Sequence, residues 1–591
     1  MAAKADQNND FALEPNSGKD QQLQQTLPDK VKVKYSKPVA GAGADQSVLD
    51  REGDGVEEVV LDGTASRVYG GEILSYKWFE GSKQLTDEAL TTINLPVGEH
   101  TLKLEVTGPG DRKAADSVTI AIRPLTGNFQ RLNLKAEQNK SRTKRSIKSF
   151  WPAGYGESNI CLWEDDKFAA VTITIDDNIA VDHEWWVKAG KDYDWRFTWF
   201  IIVNHLTGKT KNPFYGSWEK FQTLVDLGHD IQSHSMSHQA HDDARLKDEL
   251  IQEYRDSLHA INQHLTGNKA TTFAWPSGKF NREVGSLFAI AARGTTATPN
   301  KPGTTDYLNV NSTSIGVSKD FVDSVLDGDS GIAWLGKKQF LRSWLSAHYH
   351  LVKDKTAVKS DLDYLYQRSN EVWLSLFQDV ARYGQERDTA TLKVISNNAK
   401  KVEFQVSDQM DDNFFDYPLT VKLKLYPSWS AVTASQANQT LTPIIVTHGK
   451  EKYALLKVIP DQGRVVVKPS DKVNQNPEAK AGQAQIVVDK EGDGSEPVVL
   501  NGRASYDEDG FIFQYRWTKA GDPVASVSRP TIKLDQGDHV FSLKVTDNSG
   551  AVAEDKVIIT VQPPPQKKPI TESKAHNDEI TDPLPRQARQ R

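Results

Sequence analysis

At 591 residues the chain is too long for one core, and a prior of roughly 150 residues per domain divides it into about four units. A formal charge of −7 excludes a general pull toward nucleic acid or anionic lipid, and no apolar run reaches the ~18 residues of a membrane span. The single cysteine, Cys161, excludes an intramolecular disulfide framework and a cysteine-based zinc site.

In chain order, residues 1–30 are rich in Gln, Asn, Asp and Lys and read as a disordered tail. Met1-Ala2-Ala3-Lys4 opens no apolar stretch, so either the protein is cytoplasmic or a signal was removed before this numbering starts. Residues 31–125 carry short alternating runs, among them 58–61, 73–78 and 101–106, separated by Gly and Asp turns, which is the pattern of a small β-sandwich. The unit returns over 469–563. Glu52-Gly53-Asp54-Gly55 recurs as Glu491-Gly492-Asp493-Gly494, and Trp78 as Trp517, at a constant offset of 517 − 78 = 439 residues. A gapless offset of that kind is a duplicated module. The segments 500–510 and 543–550 resemble polycystic-kidney-disease (PKD) repeats, which are immunoglobulin-like sandwiches common in exported polysaccharide-degrading proteins. In the second copy Asp507, Asp509 and Asp547 could share a calcium ion; the alternative is solvated turn acids. The first copy has Arg67, Val68 and Tyr69 in that region and is expected to lack the site.

Residues 126–149 form a basic linker. From 150 to 390, apolar strand candidates (169–175, 197–203, 229–233, 271–275, 343–349) alternate with amphipathic helices (217–227, 245–265, 281–293, 358–383), which implies parallel strands and a (β/α) barrel. On the second helix Leu246, Leu250, Tyr254, Leu258, Ile261 and Leu265 share one face. Residues 391–468 return to β character and are expected to form an accessory β domain. The tail 564–591 is Pro-rich and charged. The fold class is therefore multidomain: an α/β distorted barrel, a β-rich extension and two immunoglobulin-like sandwiches.

The chemistry-bearing stretch is Val171 to His238. A buried strand ends in Asp176-Asp177, and His234-Ser235-Met236-Ser237-His238 follows after some sixty residues. Two histidines at i and i+4 would share a helical face and reach one ion. One carboxylate completes a three-ligand set with open positions, the layout of catalytic rather than structural zinc. The second acid is then free to act as a general base.

Thr174-Ile175-Asp176-Asp177, Phe197-Thr198-Trp199-Phe200 and Leu227-Gly228-His229-Asp230-Ile231-Gln232-Ser233-His234-Ser235-Met236-Ser237-His238 resemble the polysaccharide deacetylase family. Phe273-Ala274-Trp275-Pro276-Ser277-Gly278 and Trp344-Leu345-Ser346-Ala347-His348-Tyr349-His350 continue the likeness in family order. The resemblance implies a distorted barrel and a divalent metal, zinc or cobalt, on Asp177, His234 and His238. It further implies Asp176 as base, His350 as acid with His348 its rival, and the Ser277 N–H as oxyanion donor. Three departures stand out. Ala274 occupies the place of an Arg that pairs with the base, Asn178 replaces Gly after the two acids, and Asp306-Tyr307 is a poor substitute for the Asp-Trp that orients the acid. His241 is expected at the rim. Trp185, Trp186 and Trp275 are expected as saccharide-stacking residues, with Trp195 and Trp199 crowding the same loops.

The expected function is removal of acetyl groups from chitin-type N-acetylated glycans. The alternatives are an acetylxylan-type O-acetyl esterase with the same site and a non-catalytic glycan-binding protein. An acetylated polysaccharide is the expected partner, with no nucleic acid, no membrane span and no protein partner evident. Repeated modules and low cysteine fit a secreted or periplasmic protein.

Overall fold

The computed structural model describes residues 37–50, 55–68, 72–123, 150–207, 212–239, 247–408 and 410–565. They fall into two compact units, Met1–Asn128 and Phe129–Arg591. Residues 1–30, the 126–149 linker, most of 564–591, His241 and Leu246 lie outside the described residues.

The first unit is a β-sandwich. One sheet runs Gln46–Leu49, Arg112–Arg123, Gly98–Gly108, Ser75–Glu80, Lys83–Thr86 in spatial order; Val56–Asp62 pairs with Leu90–Pro96 in the second. Strict alternation does the work: Val59 and Leu61 point inward from one sheet, Leu102, Leu104 and Val106 from the other, onto a fully buried Trp78. The indole N–H of Trp78 donates to the Glu88 carbonyl (3.2 Å), which satisfies the polar end of a buried ring. The duplicate repeats this order with Gln485–Val488, Val552–Gln562, Gly537–Asp547, Ile512–Lys519 and Asp522–Ala525 around Trp517. The duplication inferred from the offset is thus a duplication of topology and core.

The second unit is built on a parallel sheet. Its strands are β1 (Ala169–Asp176), β2 (Thr198–Ile201), β3 (Asp230–Ser233), β4 (Thr272–Ala274), β5 (Ala291–Arg293), β6 (Trp344–Tyr349) and β7 (Val372–Leu374). The order is β5-β4-β3-β2-β1-β6, with β7 beside the start of β1. Parallel bridges Arg293↔Val310 and Thr313↔Ala347 carry the 310–313 segment between β5 and β6 and close the distorted barrel. The helices are α1 (His183–Tyr193), α2 (Trp218–Asp226), α3 (Lys247–His264), α4 (Arg282–Phe288), α5 (Lys319–Leu326), α6 (Lys355–Gln367) and α7 (Phe377–Thr389). Leu250, Tyr254, Leu258, Ile261 and Leu265 are all buried, so the helical stripe read in the sequence faces the barrel.

Two expected helices are broken by short strands. The 281–293 segment is helical only to Phe288, and then Ala291–Arg293 joins the sheet. The 358–383 segment divides into α6, β7 and α7. A three-residue buried strand has no room to show a period of two, so its residues extend the apparent helical pattern on either side.

The β-rich extension forms a five-stranded and a four-stranded sheet, and the latter borrows Ser158–Ile160 from ahead of the barrel. Ile160, Leu162 and Trp163 share one core with α7 and with Val421 and Leu423 of the extension. The second sandwich is tied to both: Arg503 donates to the carbonyls of Lys191 (3.2 Å) and Asp192 (2.7 Å) at the end of α1, and the Ile445 N–H to the Asn548 carbonyl (2.7 Å). Among the described residues no helix is long and apolar enough to cross a membrane, and Cys161 is buried.

Asp230 opens β3 inside the barrel, where burial pushes its carboxyl up to about 7. Gln232 (2.7 Å) and Gln378 (2.8 Å) donate to it. A carboxyl whose folded pKa lies above its unfolded value opposes folding once pH exceeds the unfolded value, and the penalty is full above the folded one. Asp230→Asn should therefore stabilise the protein by ~1–3 kcal/mol at pH 8 and leave it unchanged near pH 3. Urea titrations at the two pH values measure the difference, and an equal effect at both would refute the burial account.

Candidate active site

The ends of β1, β3, β5 and β6 supply the site. β1 ends at Asp176, and the chain turns through two residues of positive φ, Asp177 (65°) and Asn178 (58°). Asn tolerates that conformation better than most residues. The Asn178 side chain also accepts from the Ile202 N–H (2.5 Å) and donates to its carbonyl (3.1 Å). That two-way clamp ties the end of β1 to the end of β2, so Asn does here what Gly could not.

His234 follows β3 directly, and its Nδ1 is 2.9 Å from the Ala274 carbonyl on β4. Donation there leaves Nε2 with its lone pair toward the interior. Burial, reinforced by the positive charge of Arg293, holds this imidazole well below its ordinary pKa, and so neutral. The expected His-x-x-x-His helix is absent: 234–239 is a loop. Ser235 (φ 69°) and His238 (φ 59°) are left-handed. Ser235 Oγ accepts from the His238 N–H (2.9 Å), and Glu253 of α3 takes the Ser237 N–H (2.9 Å) and hydroxyl (2.8 Å). These side-chain bonds outcompete helix formation in a Ser-rich stretch. They still bring the two rings to a 4.6 Å centroid separation.

Asp177 Oδ1 lies 3.6 Å from His234 Nε2 and 3.7 Å from His238 Nε2. It is a buried oxygen with no hydrogen-bond partner. Ligand atoms ~2.0–2.1 Å from a tetrahedral zinc stand about 3.4 Å apart, so the three side chains fit one ion with little adjustment. Among the described residues, two groups of side chains come close enough to share a metal: these three, and Asp408, Asp412 and Asp461 in the extension. Asp507, Asp509 and Asp547 do not gather in that way. Asp547 accepts from Ser549, Ala551 and Asn474, and Asp509 from Gln475, while both carboxylate oxygens of Asp507 are buried without a hydrogen-bond partner.

Asp176 is 2% exposed and paired with Arg293, itself 1% exposed, at the end of β5. Ala274 and Arg293 are direct partners in the parallel β4–β5 register. The cation missing from position 274 is thus supplied one strand over, at the same level of the barrel. Sequence reading missed it because 281–293 looked helical. The signal was there: a lone Arg closing the apolar run Ala289-Ile290-Ala291-Ala292.

His350 stands just beyond β6, with Nε2 3.7 Å from Asp177 Oδ2 and 3.9 Å from Asp176 Oδ2, its side chain 47% exposed. His348 points into the barrel wall, bonded to Ser312 Oγ (2.9 Å), and burial pushes its imidazole down to about 3. The structure therefore brings His350 and not His348 to the carboxylates. Asp306-Tyr307 is engaged elsewhere: Asp306 pairs with Arg282, and Tyr307 packs into the core shared with the extension.

Ser277 is exposed, at φ 54°, in the turn Pro276–Gly278 after β4. The turn's own bonds use the Gly278 and Lys279 N–H groups and not that of Ser277. The tryptophans require correction. Trp186 is fully buried, edge-on to Phe197 (5.2 Å) and Tyr349 (5.1 Å), and Trp275 donates from its buried indole to the Leu308 carbonyl (2.9 Å). Trp195 and Trp199 are buried too. Trp185 is the partly exposed one, 4.8 Å from Trp186. A large ring in a barrel this tightly wound is more useful as core filling than as a platform. His205, which the sequence did not single out, lines the same wall: it stacks on Tyr215 (3.9 Å), and burial lowers its pKa while neighbouring Asp177 raises it.

A cavity of about 1190 Å³ lies at the opposite end of the barrel. Phe168, Trp195 and Glu371 line it ahead of β1, β2 and β7, together with Trp151, Phe513 and Tyr515. It belongs to the junction of barrel, extension and second sandwich.

The polysaccharide deacetylase family model matches residues 164–293. The K319L-like PKD domain model matches 489–561. A gellan lyase from Bacillus sp is 30% identical over 378 residues, 60% of this chain, and the chain spans 15% of that protein's length. The Xyl-CE4 domain of a multidomain xylanase from the hindgut metagenome of Trinervitermes trinervoides is 15% identical, covering 36% of this chain and 89% of that one with a TM-score of 0.25. The PKD1 domain of Vibrio anguillarum Epp is 24% identical, covering 16% of this chain and 100% of that one with a TM-score of 0.12. The family match takes in Asp176, Asp177, His234, His238 and Arg293 and stops short of His350. The chain thus carries a polysaccharide deacetylase domain followed by a PKD domain.

Proposed function

We propose that this domain is a metal-dependent hydrolase that removes acetyl groups from N-acetylated polysaccharide or oligosaccharide of the chitin type. The observation that carries the reading is the meeting of one buried base, a three-ligand set and a half-exposed imidazole within 4 Å at the C-terminal end of the barrel, where barrel chemistry is found. Asp177, His234 and His238 would hold the metal, most simply zinc, with cobalt the alternative. A divalent metal there supplies Lewis acidity toward the acetyl carbonyl and a water of lowered pKa.

The chain's own groups do the rest. Asp176 takes a proton from the attacking water. Arg293 keeps that carboxylate oriented and charge-balanced in a dry setting. The Ser277 N–H, on a turn held by β4, donates to the oxygen that becomes negative as the carbonyl carbon turns tetrahedral. His350 delivers a proton to the leaving amine nitrogen, the C–N bond breaks, and acetate and the free amine depart. Trp185, partly exposed in the first turn of α1, would offer its ring to a sugar. The sandwich modules would act as spacers or substrate-contacting platforms of an exported protein.

The test is acetate release from chitin oligomers, acetylated xylan and gellan, with and without chelator. Gellan is included because of the relative's name. Release from chitin oligomers, abolished by chelation and restored by zinc, is the expected result. Release from xylan alone would make the domain an O-acetyl esterase with the same site. No release from any polymer, with binding retained, would leave a glycan-binding protein.

A further inference from the structure

The half-exposed His350 follows the last residue of β6, so the sheet does not hold its loop; α6 begins five residues later, at Lys355. The middle of that loop is gripped by Asp182. Its Oδ2 accepts from the Val352 N–H (2.7 Å), and its Oδ1 lies 3.0 Å from Lys355 Nζ. Asp182 is 2% exposed. It closes the short turn Ala180–Asp182 that leads into α1, and lies five residues beyond Asp177 and six beyond Asp176.

We propose that Asp182 is the positioning residue that registers the His350 imidazole against the two carboxylates. The physical reason is in the connectivity. One stretch of chain, the β1–α1 connection, carries both acids and the clamp. Whatever fixes Asp176 and Asp177 also fixes the segment bearing His350, even though the two segments lie some 170 residues apart in sequence. A bond to the backbone two residues after the histidine sets the direction in which its Cβ leaves the chain. A side chain with so little packed around it takes its place from that direction. A carboxylate suits the task because it can hold a backbone N–H with one oxygen and a helix-start lysine with the other. The inference rests on the reading of His350 as the proton donor.

The experiment uses the full chain and two substrates that differ in leaving group. The amine of a chitin pentamer must be protonated to leave, whereas the phenoxide of an aryl acetate leaves without help. Wild type, His350→Ala, Asp182→Ala and Asp182→Asn are compared for kcat and KM on both, with bound zinc measured for each. Asp182→Ala should lose about 10²-fold in kcat on the pentamer, the scale of a displaced catalytic group, with KM and zinc content unchanged and aryl acetate turnover within a few-fold of wild type. Asp182→Asn, which keeps an acceptor for the Val352 N–H, should recover most of the loss. Parallel losses on both substrates, or lost zinc, would mark Asp182 as a residue of the fold alone and overturn the inference. Full pentamer activity in Asp182→Ala would overturn it too. If His350→Ala shows no leaving-group dependence, or wild type acts on neither substrate, the underlying reading fails and the inference with it. A His350→Ala variant that discriminates beside an Asp182→Ala variant that does not sinks the inference only.

Discussion

Asp176→Asn lowers kcat for acetate release by about 10²–10⁴-fold, the range a positioned general base contributes, while zinc still binds. The substitution is close to isosteric and removes only the charge and basicity of a side chain that is 2% exposed. The proposed ligand set, on Asp177 and the two histidines, is left in place. Zinc content by metal analysis and kcat on a chitin pentamer make the two halves of the measurement. A variant that keeps its zinc and stays within about tenfold of wild type would show that another group takes the proton. The Asn amide also leaves Arg293 facing a neutral partner, so the variant should be less stable by about 1–3 kcal/mol. Activity is therefore measured well below the melting temperature.

The largest stability effect belongs to Arg293→Met. The Arg293–Asp176 pair is almost fully buried on both sides. Removing one member of such a pair leaves an uncompensated charge and costs about 3–5 kcal/mol. Its guanidinium also lies 5.5 Å from the ring centroid of Phe200 and donates to the Gly294 carbonyl (3.0 Å), so packing is lost along with charge. Urea titration near neutral pH should show the loss, and kcat should fall with it because Asp176 is no longer held. The register offers a sharper control. Ala274 and Arg293 are partners across adjacent parallel strands, where side chains at one level face the same side of the sheet. In an Arg293→Ala background, Ala274→Arg should return part of both stability and kcat. A double variant no better than Arg293→Ala alone would show that the cation works only from β5.

Much of this protein was legible before any tertiary contact. The constant 439-residue offset carries into two copies of one sheet order, because a sandwich is specified by local alternation and by turns. The run Ala169–Asp176 reads as a strand and is one, since a segment buried on both faces has few other ways to satisfy its backbone. The two acids at its end and the histidine pair were visible as chemistry because short polar motifs after apolar runs stand out. Leu250, Tyr254, Leu258, Ile261 and Leu265 likewise announced the inner face of α3.

What the sequence could not decide were choices between near-identical local options, which long-range packing settles. The two histidines meet on a loop because Ser235 and Glu253 capture the backbone that a helix would have used. His350 and not His348 reaches the carboxylates because Ser312, from the segment that closes the barrel, claims His348. Trp186 and Trp275 are wall rather than platform because the barrel needs their volume. The cation beside Asp176 comes from β5 rather than β4 because any site at that level of the barrel can neutralise a buried carboxylate, whichever strand provides it. Local pattern determined the modules, the longer strands and the types of residue in the site. Tertiary structure decided which copy of each type faces the chemistry, since burial and partner choice depend on contacts between segments that no local period encodes.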